Sequence, residues 1–307
     1  MHNSVSTMTP MPSISEHVVK FKETKNPLYL LKAIYLILRR GRTHELLYGI
    51  YCKWIHRPSI VVADHSNTQQ NKSIKSILDD FHDNILFYKR EFLSKAQLQE
   101  IYGDRYAIDK LPTNFGGTRA ESIIEVGNCL VMGEYDMTPK CSKIAILSKN
   151  DCQINDYYED KSGIRHIHAI HIYSDNSILV ATGDRLKVLD LWSYKTTSSG
   201  VQIAFKKRLK RFLAGYTAIS NIGGDFYFGT DFSARPNYIE MMNGKKFFFP
   251  EPAYTQFVMN FHTYEDRYLL SLNSNLADFG DEAIKTLSIF DTKTQQFVYC
   301  EKVELPE

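Results

Sequence analysis

The chain is short of the residues that define several protein classes. Its five cysteines in 307 residues (Cys52, Cys129, Cys141, Cys152 and Cys300) contain no C-x-x-C pair, so neither a disulfide framework nor a structural zinc site is expected. Free thiols in the cytoplasm are the simplest reading, and the opening MHNSVSTMTPMPSISEHVV lacks the pattern of a secretory signal. An excess of one charge is missing too. The 37 Lys and Arg against 35 Asp and Glu leave +2, which creates no field to gather nucleic acid, and no nucleic-acid partner is expected. No apolar run reaches the roughly 20 residues that span a bilayer. No phosphate loop, dinucleotide fingerprint, nucleophile elbow or H-E-x-x-H pair occurs, so no cofactor and no metal are expected.

What is present is apolar material for a sizeable core, at 43% hydrophobic and 13% aromatic. The near-neutral charge conceals an asymmetry. Residues 1–57 carry nine Lys or Arg against three Glu, a net of +6, which leaves −4 for residues 58–307. Three parts follow: a flexible N-terminal tail over 1–25, a basic amphipathic helical segment over 26–57, and the body over 58–307. Asn26-Pro27 is a helix start, an N-cap residue followed by proline at the first helical position, and the helix is expected to run to about Trp54 with a weak point at Gly41. Two fates fit this helix. It docks on the body, or it lies on an anionic membrane with Leu28, Leu31, Ile34, Tyr35 and Leu38 at the acyl boundary and Arg39, Arg40 and Arg42 facing headgroups. The second would place the protein peripherally at the inner face of the membrane.

Beyond Pro58 helical periodicity gives way to short β-rich runs, with helical insertions read at 71–85 and 94–104. Four segments superpose: NCLVMGEYD (128–136), NSILVATGD (176–184), GDFYFGTD (224–231) and DRYLLSLNS (266–274). Each is a polar turn, an apolar strand and a polar ending. Their ends fall 48, 47 and 43 residues apart, the length of a four-stranded propeller blade. A strand precedes each (121–126, 166–172, 216–222, 255–261) and a strand follows each, the last being a full hairpin over 285–300. The expected fold is an all-β propeller preceded by the helical segment. Five blades are favoured, the fifth built from 59–66 and 84–92, with 59–66 pairing beside the C-terminal strand to close the ring.

In such a ring the strand endings meet at one mouth, and this brings together Glu134, Asp136, Asp184, Asp231 and Asn273. Carboxylates and amides around a mouth suit a polyhydroxylated guest, and two carboxylates about 5–10 Å apart would serve glycosidic-bond chemistry. Within SGIRHIHAIHIYSDNSILVATGD (162–184), alternation puts Arg165, Ile167 and Ala169 on one face and His166, His168 and Ile170 on the other. Two parallel imidazoles suit a proton relay or hydrogen bonds to a substrate hydroxyl. Glu134, Asp184, Asp231 and His168 are the candidate catalytic groups, and Arg165, His166, Asp136, Asn273 and Arg235 the candidate substrate-binding ones. The basic run KKRLKR (206–211) reads as one edge of a solvated hairpin, with an anion contact as the alternative.

The stretch RHIHAIHIYSDNSILVATGD resembles a signature of sialidase-like, BNR-type β-propeller proteins of bacteria, several of them encoded among surface-polysaccharide biosynthesis genes. About 20 residues carry the resemblance, through Arg165, His166, His168, Gly183 and Asp184. Ala169 stands where the signature has glycine, and the S-x-D-x-G-x-T-W box of sialidases is absent. The resemblance implies a propeller with a carbohydrate connection, acting on or binding a glycan or glycan-linked lipid. The alternative from the residues is a non-catalytic propeller scaffold recruited to the membrane by its basic helix.

Overall fold

The computed structural model describes residues 17, 20–21, 23–39, 61, 68–83, 92–135, 142–156, 166–183, 187–197, 200–211, 215–232, 236–274 and 285–304. The chain divides into two compact units, 1–57 and 58–307. In the first, helix α1 spans Pro27–Arg39. Asn26 Oδ1 accepts the Leu28 N–H at 3.0 Å, and Pro27 occupies the turn where a missing N–H costs nothing. Ala33, Leu36 and Ile37 are buried, whereas Leu28, Leu31, Tyr35 and Leu38, one stripe at three- and four-residue spacing, are 49–61% exposed. The expected continuation to Trp54, with Arg40, Arg42 and the Arg39 side chain, lies outside the described residues. No helix among the described residues is long and apolar enough to cross a membrane.

The second unit is a β-propeller of four antiparallel sheets. Blade I holds β1 (Phe92–Leu93), β2 (Thr118–Val126), β3 (Cys129–Glu134), β4 (Lys143–Leu147) and β5 (Cys152–Asp156). Blade II holds β6 (His166–Ser174), β7 (Ser177–Gly183), β8 (Val188–Thr197) and β9 (Gly200–Arg211). Blade III holds β10 (Gly215–Ile222), β11 (Asp225–Asp231), β12 (Tyr238–Met241) and β13 (Lys246–Phe248), and blade IV holds β14 (Phe257–Tyr264), β15 (Tyr268–Ser274), β16 (Lys285–Asp291) and β17 (Gln296–Val303). Within each blade every strand pairs with its predecessor, an up-and-down order. Both residues of Gly223-Gly224 have positive φ (62° and 88°) in the two-residue turn between β10 and β11.

Alternation gives each sheet two apolar faces, and three seams bury six of the eight. Val131, Ile144 and Ile146 of blade I meet Ile167, Val180 and Trp192 of blade II. Leu179 and Leu189 of blade II meet Tyr216 and Phe228 of blade III, and Ile239 and Met241 of blade III meet Val258, Leu269 and Phe290 of blade IV. Side chains tie blade IV to blade I at their inner strands: Arg119 donates to the Met259 carbonyl, and Glu121 Oε1 accepts the Phe261 N–H at 3.2 Å.

The two remaining faces are covered by helices. Ile77 and Phe81 of helix α2 (Thr68–Asp83) pack on Leu270, Leu272 and Leu287 of blade IV. Leu98 of helix α3 (Lys95–Tyr102), with Leu93, Tyr106, Ile108 and Phe115, packs on Leu130, Met132 and Leu147 of blade I. Helix α2 answers the helix expected over 71–85; of the stretches expected to supply a fifth blade, Phe92 belongs to the two-residue strand β1, which pairs with β2, and 59–66 and 84–91 other than Val61 lie outside the described residues. Blade IV takes its four described strands consecutively from 257–303, and the expected pairing of 59–66 beside the C-terminal strand lies outside the described residues.

A β-bulge recurs near the start of the inner strands. The register slips between Ile167 and Ala169, between Tyr216 and Ala218, and between Val258 and Asn260, while β2 has its own irregularity between Thr118 and Ile123. The bulge at His168 overturns the expected face assignment. Ile167 packs into the seam of blades I and II and Ala169 into the seam of blades II and III, opposite sides of one sheet, because His168 is the extra residue between them. The basic run 206–211 forms the outer strand β9, and two of its cations are taken up by carboxylates. Arg208 Nε donates to Asp190 Oδ1 at 2.9 Å, and Lys210 Nζ reaches Glu240 of blade III at 2.8 Å.

Phe81→Ala removes a fully buried ring from the face that no blade covers, and a loss of about 3–5 kcal/mol in urea unfolding is expected. Asp291 gives a pH-dependent prediction. Burial pushes its carboxyl up, but hydrogen bonds from Arg267 (2.6 Å and 3.0 Å) and the Lys293 N–H, with the guanidinium charge, hold it below the ordinary value. A carboxyl lowered in the folded state stabilises fully above its unfolded pKa of about 3.9 and loses that contribution as pH falls through the folded value. Asp291→Asn should cost about 1.5–3 kcal/mol at pH 7, with the gap to the parent closing below about pH 4 when urea midpoints are followed against pH.

Candidate functional site at the start of the inner strands

The four inner strands run the same way around the ring, so their first residues and the last residues of the second strands share one mouth. Thr118 pairs with Glu134, His166 with Gly183, Gly215 with Asp231, and Val258 with Asn273. The described strand endings thus lie at one end of the propeller. Asp136, Arg165, Asp184 and Arg235 fall outside the described residues.

A cluster forms where β3 ends and β6 begins. Tyr135 makes an isolated antiparallel bridge to His166, and its ring stacks on that imidazole with centroids 4.1 Å apart and an interplanar angle of 11°. His168 lies 5.8 Å from Tyr135 and 5.9 Å from His166, so the three rings form a triangle. The Arg119 guanidinium sits 5.9 Å from the Tyr135 ring, and Phe92 packs edge-on against it at 6.0 Å. Behind them, Glu134 is fully buried and its Oε1 accepts the Gly116 N–H at 3.0 Å, while the Tyr135 N–H donates to the Gly117 carbonyl. Both imidazoles and Arg119 are buried, and Tyr135 is the half-buried member that reaches towards solvent.

A missing side chain makes room for His168. A Cβ at Gly183 would overlap the His168 imidazole, so glycine at the end of β7 is what lets the bulged histidine fold over its own blade. Gly133 and Gly229 act differently. A Cβ there would collide with Ile167 and Val258 of the next blade, so these glycines set how closely the inner strands approach.

The other predicted residues stand apart from this cluster. Asp231 ends β11 in blade III, where Lys187 Nζ donates to its backbone carbonyl at 3.1 Å; its carboxylate is buried, and Oδ1 meets no hydrogen-bond partner among the described residues. Asn273 is fully buried in blade IV with Oδ1 accepting the Ser271 hydroxyl at 2.9 Å, and its Nδ2 likewise meets none among the described residues. Blade II lies between Glu134 and Asp231, so the two described carboxylates are not neighbours on one seam. Phe228 and Phe249 belong to the core. Among the described residues no group of three or more His, Cys, Asp or Glu side chains is arranged to hold a metal.

Sequence reasoning singled out Glu134, His166 and His168 but missed Tyr135 and Arg119. The signals were modest. Tyr135 is the aromatic between the two acids of GEYD, and Arg119 opens the inner strand of blade I as the Arg165-His166 pair precedes and opens that of blade II.

No family model and no curated protein matches the chain, so the sialidase-like resemblance stands on residues 165–184 alone. Among solved structures the chain is similar to an auxiliary nutrient binding protein from Bacteroides thetaiotaomicron, with a TM-score of 0.40 and 13% identity. That similarity covers 61% of this chain and 42% of the other, less than half its length.

Gly183→Ala should push His168 out of the triangle, since the added Cβ would fall on the imidazole itself, at Cε1, Nε2 and Nδ1. The expected result is a changed His168 ring resonance in NMR, with a stability loss of about 1–3 kcal/mol from overpacking. An unchanged resonance would show that the imidazole is not held over Gly183.

Proposed function

We propose that this protein is a carbohydrate-binding propeller whose site lies at the mouth where β3 ends and β6 begins. The observation that carries the reading is the stack of Tyr135 on His166, with His168 and Arg119 in reach. The partly exposed Tyr135 ring, held in place by the buried His166 imidazole and Arg119 guanidinium, offers a rigid apolar edge and a phenolic hydroxyl at the mouth, which is what a sugar needs to be both held and oriented. Binding is the reading put forward because the aromatic and cationic cluster is what the described residues bring together at this mouth, while the carboxylates Asp136 and Asp184 lie outside them. In this reading the ligand is a glycan or glycan-linked lipid of the bacterial surface. Titration calorimetry of the full chain against a panel of neutral oligosaccharides tests it. Tyr135→Ala should weaken binding at least tenfold, roughly the contribution of one aromatic anchor, with the urea midpoint retained. Binding indifferent to both Tyr135→Ala and His168→Ala would overturn the assignment to this mouth.

The exposed stripe of α1 favours a second element of function, recruitment to an anionic membrane. Leu28, Leu31, Tyr35 and Leu38 present one apolar face to solvent, next in sequence to Arg39, Arg40 and Arg42. That pairing of an apolar face with basic residues matches an interfacial helix. The full chain should co-sediment with vesicles containing phosphatidylserine, and Leu31→Glu with Tyr35→Glu should abolish this. Equal sedimentation of parent and variant would remove the membrane role and leave the mouth site untouched.

A further inference from the structure

The opposite end of the ring, where the inner strands finish, holds a cavity of about 570 Å³ on blades II and III. Its floor is aromatic and thioether. Phe226 is buried, with Tyr173 packed on it at 5.2 Å and His171 edge-on at 5.7 Å, and Met241 and Met242 line the cavity beside them. Tyr173 is 41% exposed, so one face of its ring is open. The rim is polar, formed by the exposed side chains of Asp225 and Asn243. Burial lowers the His171 pKa, which favours a neutral ring beneath this floor.

The Gly223-Gly224 turn keeps the cavity open. A Cβ on either glycine would meet nothing within 4 Å, so the hairpin closes without raising a side-chain wall at the rim. The corresponding turns of blades I and II, Gly127-Asn128 and Asp175-Asn176, carry side chains.

The lining narrows the ligand class. Neither Lys nor Arg lines the cavity among the described residues, and Asp225 would repel an anion. Asp225 can only accept hydrogen bonds, whereas Asn243, whose Oδ1 is engaged by the Lys245 N–H at 3.0 Å, retains its NH₂ as a donor. An acceptor and a donor beside one open aromatic face fit a ring with an apolar CH face and hydroxyls at its edge. An organic cation would leave the amide donor unused, and Tyr173 and Phe226 pack on each other, tilted by 35°, rather than opening into a cage.

We infer that this cavity is a second saccharide site for a neutral pyranose unit, with Tyr173 as the stacking platform and Asp225 and Asn243 binding adjacent hydroxyls. It rests on the carbohydrate reading only for its class of ligand, since it shares no residue with the mouth cluster. Met242 supplies a local reporter. Full-length protein labelled with ¹³C at the methionine methyls, and assigned through Met242→Leu, is titrated with the methyl glycosides of glucose, galactose and N-acetylglucosamine. At least one should shift the Met242 methyl saturably with a half-point of about 1–10 mM, the range of a single small ligand with few contacts. Tyr173→Ala and Asp225→Asn should each raise that half-point roughly tenfold, while the methyls of Met132 and Met259 stay in place and report an intact fold. Tyr135→Ala should leave the Met242 response unchanged, which separates this site from the mouth. Three outcomes would overturn the inference: no response of Met242 to any of the glycosides, unaltered titrations in both variants, or a Met242 shift with tetramethylammonium but with no glycoside.

Discussion

Everything in the body follows from the need of each sheet to bury two apolar faces. Four sheets present eight, and three blade-to-blade seams use six. The other two, on blades I and IV, belong to separate cores even though their inner strands are tied by the Arg119 and Glu121 hydrogen bonds. Leaving them bare would expose Leu270, Leu272, Leu130 and Met132 to water, at roughly 1.5–3 kcal/mol for each side chain. Helices α2 and α3 answer this, each bringing an apolar stripe to a flat sheet face. The second strands carry the same logic. Gly133, Ala181 and Gly229 are small where a blade meets the next blade, whereas Leu272 is large where the neighbour is a helix.

The bulges are the second consequence of closing so small a ring. A regular strand would keep alternating and carry its twist evenly, whereas an extra residue bends the strand and raises the twist locally. It also frees one side chain from the two-face alternation. In blade III the freed residue is Thr217, whose hydroxyl donates to the Val258 carbonyl of blade IV and so staples two blades. In blade II it is His168, which turns over Gly183 towards Tyr135 of blade I. The same backbone irregularity therefore holds the ring together at one seam and packs an imidazole against Tyr135 at another.

This explains what could be read from the residues and what could not. The blade repeat was legible because apolar strands and two-residue polar turns recur at a spacing set by strand length, and helices α2 and α3 were legible from their periodicity. The number of blades was not, because strand rhythm alone does not say where the ring closes, and the stretches expected for a fifth blade, 59–66 and 84–92, lie almost wholly outside the described residues. At the candidate site, the pairing of His166 with His168 was visible, but the parity argument failed beyond them. Strict alternation put Ile167 and Ala169 together, and the one-residue bulge separated them into different cores. Tyr135 escaped notice because nothing in GEYD distinguishes a turn aromatic from one that stacks on the next blade.

The two ends of the ring differ for the same reason. At the end where inner strands begin, bulges and inter-blade hydrogen bonds crowd the strands together, and polar groups such as Glu134, Thr217 and Asn273 become buried parts of the closure. A ligand there must reach past Tyr135, the half-exposed member of the cluster. At the other end the hairpins turn over in two residues in three of the four blades, and the chain adds little cover. Blade III goes furthest, since its turn carries no side chain at all and leaves Tyr173 of blade II open on one face. Twist and closure thus make one mouth tight and leave the other shallow and open, before any demand of function is placed on either.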